Sequence, residues 1–354
     1  MPNNNPKTNP HPPYSVCLLP KLDGTGGPAT FQRKLSQGLA DRGIAAHHDI
    51  NDPTTRAVLV VGGTRQFGAL LAAKRKGIRI VQRLDGMNWL HKRTKTGCAH
   101  FLRSERMNLQ LSLIRRHFAD AIVYQSAFTQ QWWNRVFGNL RTPSTVIHNA
   151  VDLRTFAPAQ AVHPPTGTVR LLVVEGSFYG GHQRDLNNAV EFANALAECA
   201  QREVLLQIAG RVPQAIHADV PQHSRVRIEW LGLVKRQHII ALDREAHLFF
   251  PAEINAACPN AVIEAMACGL PIISYATGSI PELVGENAGK VVPYGSDYWN
   301  LQPPQASALA DAALQILNQH AVYRRGARER AEQHFGLANM VVKYHHVLFS
   351  NLES

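Results

Sequence analysis

Long apolar runs are missing from this 354-residue chain, and nothing in it approaches the roughly 18 consecutive apolar residues of a membrane-spanning helix. The Asn- and Pro-rich amino terminus also lacks the apolar centre of a secretory leader. Cysteine is scarce. Cys17, Cys98, Cys199, Cys258 and Cys268 form an odd, scattered set without paired metal-ligand spacing, so neither a disulfide framework nor a cysteine zinc site is indicated. A dinucleotide-binding glycine fingerprint and a short internal repeat are missing as well. These absences predict a globular protein made and kept in the cytosol, its thiols buried. The length exceeds one α/β core of usual size, so two domains are expected.

Acids are sparse where bases are dense. The formal charge is +11. Between Lys74 and Arg116 basic side chains recur, among them Arg79, Arg83, Arg93, Arg103, Arg106 and Arg115, against only Asp85 and Glu105. Such a face attracts an anion: nucleic acid, an anionic membrane surface or a phosphorylated acceptor. No recognition motif or aromatic stacking pattern accompanies the charge, so nucleic acid is not the expected partner. A solvated face with no partner is the plain alternative.

Residues 1–13 are rich in Pro and Asn without periodicity and read as a disordered arm. Folding is expected to begin at Tyr14. Strand-like runs recur at Tyr14–Leu19, Ala57–Val61, Ile78–Val81, Ala121–Tyr124 and Thr145–Ile147, with helical segments such as Phe67–Lys76 and Phe101–Phe118 between them. That alternation predicts a parallel α/β domain over residues 14–158. Its Asp23–Pro28 loop places Gly26 and Gly27 between a strand and a helix, where backbone can approach a phosphate or simply turn. After Ile80 and Val81, the segment from Gln82 to Trp89 occupies the position where active-site loops collect. Arg83 and Asp85 there are either functional or a local salt bridge.

A Pro- and Gly-bearing linker leads into a second alternation, with strands predicted at Val169–Glu175, Val204–Ile208, Val226–Trp230, His247–Phe250, Pro271–Ser274 and Lys290–Val292. This is the domain expected over residues 159–335. Ser279 and Glu282 have the spacing of a capping box. The tail from Pro303 reads as helix broken near Gly336, with residues 336–354 expected to pack back on the first domain. The organising stretch is His247–Tyr275, a strand, an elbow, a short helix and a strand. Glu264 lies on the helix, four residues after Asn260 and on the same face. A carboxylate among apolar neighbours needs donors, either an Arg elsewhere or ligand hydroxyls at the carboxyl end of a parallel sheet. Free amides near Asn260 and Ala261 suit phosphate oxygens.

The segment from Cys258 to Val292 resembles the carboxyl-terminal signature of glycosyltransferase family four, the retaining enzymes of GT-B fold. Weaker likenesses accompany it: Gly26-Gly27 with the helix ending at Gly43, Ala119–Val123 with Gln125-Ser126, and Ile147–Asp152 with Phe156 and Pro158. The resemblance implies two Rossmann-like, doubly wound domains facing across a cleft. It also implies transfer of a sugar from a nucleoside-diphosphate sugar to a glycan or lipid-linked hydroxyl acceptor, with no metal cofactor. On this reading Gly26, Gly27, Arg184, Asn260, Ala261 and Glu264 bind the donor, with Glu264 on the ribose. Asp85 and Glu253 are the catalytic candidates, and Arg83 and Trp89 face the acceptor. The basic first domain would lie against the inner face of a membrane. Two departures stand out. Ala256 occupies the place of the first Glu in the family's paired-Glu motif, and the usual Arg and Lys-Gly are absent from Glu175–Arg184, leaving Arg184, Arg211 or Lys235 to supply that charge. A donor-binding protein of the same fold with lost or altered turnover is the alternative.

Overall fold

Runs of Val, Ile and Leu, suited to strands buried on both faces, build two separate sheets. In the first half they form β1 (Ser15–Leu19), β2 (Ala45–His47), β3 (Thr55–Val61), β4 (Arg79–Leu84), β5 (Ala121–Tyr124) and β6 (Ser144–Val146). The second half has β7 (Val169–Ser177), β8 (Val204–Arg211), β9 (Val226–Gly232), β10 (Leu248–Phe249), β11 (Ile272–Tyr275) and β12 (Gly289–Val292). All pairings are parallel, in the orders β2-β1-β3-β4-β5-β6 and β12-β11-β10-β7-β8-β9. The computed structural model describes residues 14–24, 26–95, 97–160, 165–178, 183–217 and 224–350; the arm expected at 1–13 lies outside them.

Both sheets are doubly wound, as expected. In the second, the chain reverses direction between β7 and β10, and in the first between β1 and β3. Crevices at such reversals, beyond the carboxyl ends of the strands, are where open α/β sheets bind ligands. The loops after β1, β4, β7 and β10 border one such space. Each sheet is covered by helices whose apolar faces are fully buried, including Leu35 and Leu39 on Gly27–Ala40 and Leu186, Phe192 and Leu196 on Gln183–Ala200. Each such side chain contributes about 1.5–3 kcal/mol on burial.

The edge strand β2 was not anticipated. Its three residues, Ala-Ala-His, carry no apolar run, and pairing with β1 defines it. The tail divides into the helices Ala306–Asn318, His320–His334 and Leu337–Phe349. The last of these crosses back to the first domain, burying Met340, Val341, Tyr344 and Leu348 with Leu35, Leu59 and Val123, while Val347 O accepts from Arg79 Nε at 2.8 Å. The outgoing and returning crossings touch. Val151 N–H donates to Phe335 O at 2.9 Å, and Leu337 N–H donates to Val151 O at 3.0 Å.

The capping box at Ser279 does not form. A helix does begin there, Ile280–Val284, but the Ser279 hydroxyl makes no cap bond. Glu282 reaches instead across the domain boundary, both its oxygens accepting from Ala127 N–H at 3.0 Å, with His148 Nε2 3.5 Å from Oε1. Ala127 opens the first-domain helix Ala127–Phe137, so the carboxylate sits at the positive end of a helix dipole.

Candidate active site

The residues singled out in the sequence meet in a cleft of about 580 Å³ between the two domains. Its walls include Gly26, Gly27, Arg83, Asp85 and Trp89 from the first domain and Glu175, Glu253, Asn260, Ala261 and Glu264 from the second. Arg184 is not on these walls. It lies half-buried at the start of Gln183–Ala200, with its charge near Tyr294. Tyr179–His182, part of the segment where the family's usual cations are missing, lies outside the described residues.

Two helix starts converge here. Gly27–Ala40 begins at Gly26 and Asn260–Ala267 at Pro259; neither has a side-chain cap or an acid in its first turn. A Cβ built on Gly27 would stand 3.5 Å from Asn260 Nδ2, so the two amino termini face each other closely. Each start presents unpaired N–H groups and about half a positive charge. With no acid to absorb it, that potential is left for an anion in the cleft.

Glu264 follows one turn into the second of these helices, with its side chain 14% exposed. Its Oε1 accepts from Arg236 Nη2 at 2.7 Å and lies 3.6 Å from Lys34 Nζ, while Oε2 accepts from no described residue. The Arg partner foreseen for Glu264 and its place on the cleft wall thus coexist. Lys34 also donates to Ala150 O at 2.5 Å. Burial pulls its ammonium below the usual lysine range, against the attraction of Glu264. Behind this group Asp243 is buried, and desolvation with the nearby Glu264 charge holds it well above the usual carboxylate range. Lys34 and Arg236 escaped the sequence reading because their partner lies far away in the chain. Arg236 is adjacent to Lys235, one of the cations considered.

The catalytic candidates line the same space. Asp85 follows β4; its backbone carbonyl accepts from Trp133 Nε1 at 2.8 Å. Burial raises its carboxyl above the ordinary value, opposed by the Arg83 charge. The local Arg83–Asp85 ion pair does not form. Arg83, assigned to the acceptor, is 2% exposed; Nη2 donates to Asn149 Oδ1 at 2.7 Å and the guanidinium lies 3.9 Å over the Phe31 ring. Asn149 in turn donates from Nδ2 to Cys258 O at 2.7 Å, so Arg83 braces the first domain to the elbow of the second. Burial pushes the Cys258 thiol up to about 12.

Glu253 and Glu175 stand together on the second-domain wall, Glu253 N–H donating to Glu175 Oε1 at 3.3 Å. Glu175 was not a sequence candidate, although it ends a predicted strand, the position from which side chains reach such a crevice. Ala256 is turned into the protein at 1% exposed, its carbonyl accepting from Ser279 N–H at 2.9 Å. Gly278, with φ of +58°, makes this fit: a Cβ there would lie 2.7 Å from both N and O of Ala256. Among the described residues no cluster of His, Cys, Asp and Glu could hold a metal ion.

Residues 176–319 match the family model described as "Glycosyl transferases group 1". The fold is GT-B, and the group 1 match covers most of the second domain. The group 1 match includes the helix bearing Glu264 and its amide-rich start. Sucrose-phosphate synthase from Thermosynechococcus elongatus superposes with a TM-score of 0.69 at 16% identity, covering 96% of this chain and 99% of that one. Anabaena HepE in complex with UDP and glucose gives 0.64 at 15%, covering 95% and 100%. In sequence, the phosphatidylinositol N-acetylglucosaminyltransferase subunit of Arabidopsis thaliana is 26% identical over 167 residues, 44% of this chain and 34% of that protein. The matched stretches span about a third or less of the length of the curated relatives.

Proposed function

We propose that the protein is a retaining glycosyltransferase that moves a hexose from a nucleoside-diphosphate sugar to a hydroxyl of a glycan or lipid-linked acceptor, in surface polysaccharide or glycolipid synthesis. The observation carrying this reading is the meeting of two uncapped helix starts with Glu264 in one interdomain cleft. The UDP and glucose in the HepE structure and the phosphatidylinositol in the Arabidopsis relative's name support the same classes of donor and acceptor.

In this reading the diphosphate spans the gap between Gly27 and Asn260, and Glu264 Oε2 accepts from a ribose hydroxyl. Transfer breaks the bond from the anomeric carbon to the distal phosphate oxygen and forms a bond to the acceptor oxygen on the same face. The acceptor proton leaves with the phosphate or passes to a cleft carboxylate. Charge builds on the diphosphate as its bond breaks. The helix amides, with Lys34 and Arg236 behind them, meet that charge already oriented, where fixed dipoles act most strongly. Asp85 and Glu253 face the sugar and acceptor. This reading assigns no step to a metal. An exposed part of the basic run, from Lys92 to Arg116, would rest on an anionic inner membrane surface. Arg115 is excepted, being buried with Nε donating to Tyr124 Oη at 2.8 Å. Among the described residues no helix is long and apolar enough to cross a membrane.

A thermal-shift panel of UDP, GDP, ADP and their sugar conjugates tests the donor assignment, since a ligand held only by the folded state raises the melting temperature with occupancy. One base should stand out and its sugar conjugate should be consumed when acceptor is added. A well-folded sample unmoved by all of them would refute the reading. Stabilisation without transfer or donor hydrolysis would favour the alternative of a binding protein with lost turnover, which the buried Ala256 motivates. Flotation with phosphatidylglycerol vesicles tests the membrane placement.

A further inference from the structure

Beside the cleft, and sharing Met87, Asn88, Trp89 and Trp132 with it, lies a second cavity of about 730 Å³. Its wall is aromatic and aliphatic: Trp89, Trp132 and Trp299 pack edge to face with centroids 5.2–6.5 Å apart, and Leu109, Val136 and Phe137 continue the surface. The cavity spans both domains, because Asp297, Trp299 and Asn300 follow β12 whereas the other walls belong to the first domain.

Two features define the occupant. The interior polar groups are already engaged with each other: Asn88 N–H donates to Asn108 Oδ1 at 3.0 Å and Asn108 Nδ2 donates to Asn88 O at 2.8 Å. The tryptophan rings are turned edgewise among themselves and do not form one flat platform, so a wall of this kind takes hydrocarbon and offers a sugar few hydrogen bonds. The rim, by contrast, is basic. Arg93 is set against Asp297 and Lys92 against Glu105, while Arg106 and Arg135 are exposed and make no ion pair among the described residues. Leu102, Leu109 and Val136 are at least half exposed at its mouth.

We propose that this cavity holds the hydrocarbon chain of an amphiphilic acceptor, with an acidic phosphate of that acceptor at Arg106 and Arg135 and its hydroxyl directed past Trp89 into the cleft. The proposal rests on the glycosyltransferase reading and narrows its acceptor from any glycan or lipid-linked hydroxyl to a phosphate-bearing lipid.

The test uses the full chain and decyl phosphate kept below its micelle threshold, followed by tryptophan emission, since three of the five tryptophans line the cavity. Saturable change is expected with decyl phosphate and none with inorganic phosphate. Val136→Asp should weaken decyl phosphate binding at least tenfold. The double variant Arg106→Glu, Arg135→Glu should weaken it at least threefold while leaving decanol binding unchanged. The nucleotide thermal shift, read in parallel, should be untouched by either set, which separates failure of the cavity from failure of the donor site. Equal responses to inorganic phosphate, or decyl phosphate binding indifferent to both sets, would overturn the proposal. So would a response to phosphatidylglycerol vesicles without one to monomeric decyl phosphate, which would make the cavity a bilayer contact.

Discussion

Replacing Glu264 by Gln keeps the shape of the side chain and removes its charge, which separates the two roles the geometry allows. As an ion-pair residue, Glu264 holds Arg236 at 2.7 Å and Lys34 at 3.6 Å. The Arg236 side chain is 45% exposed and rehydrates readily, so losing that pair costs at most about 1 kcal/mol. The buried Lys34 loses its counter-charge but keeps the Ala150 carbonyl and can shed its proton. A modest fall in melting temperature follows. As a ribose ligand, Glu264 makes a hydrogen bond to a charged acceptor, worth about 1.5–3 kcal/mol, or roughly 10–100-fold in Kd. Calorimetric titration of the preferred nucleoside diphosphate and its 2′-deoxy and 3′-deoxy forms, against both proteins, isolates that bond as a double-mutant cycle does. In the native protein, at least one deoxy form should bind some tenfold more weakly; in Glu264→Gln the difference should largely vanish. If each deoxy form loses the same factor in both proteins, Glu264 does not touch the ribose and the donor pose is wrong.

Asp85→Asn should lower kcat by about 10²–10⁴ with nucleotide affinity unchanged, if the carboxyl handles a proton at the reacting centre; undiminished turnover in a steady-state assay would remove it from that role. Gly278→Ala should destabilise by at least about 2 kcal/mol in a denaturant titration, because φ of +58° and the 2.7 Å approach to Ala256 both oppose a Cβ; a variant of native stability would show that the elbow gives way. Burial, with the neighbouring His320 charge next, lowers the His247 pKa from 6.5 to about 4. The unfolded chain therefore binds the extra proton first, so this contribution is complete above pH 6.5 and is lost as pH falls towards 4, with an upper bound on the order of 3 kcal/mol. In His247→Asn that part of the pH dependence of unfolding should flatten, and a slope identical to the native protein's would refute the assignment.

What the sequence displayed was whatever the local chain determines. Apolar runs placed every strand except β2, whose Ala-Ala-His has no pattern of its own. The small, apolar setting of Glu264 marked it as an acid in need of donors. Partner identity was not local: Arg236 reaches Glu264 only once the second sheet is folded, Lys34 only once both are, and Trp299 joins Trp89 and Trp132 across the domain boundary. The same limit explains Glu282, whose spacing from Ser279 spelled a cap but whose carboxylate found a better donor on another domain. Arg83 and Arg115 read as part of a surface run and are interior braces, since charge counts do not say which way a side chain points.

The peptide passes between the domains twice, and Val151 on the way out is bonded to Phe335 and Leu337 on the way back. Two strands of chain pinned side by side restrict motion as a door's hinges do. Sliding the halves apart at this point would break both bonds, whereas a rotation about it would keep them and would instead strain the contacts of Glu282 and Glu264 farther out. A nucleoside diphosphate entering between Gly27 and Asn260 would set negative charge between two positive helix starts, so that occupancy would favour the closed angle.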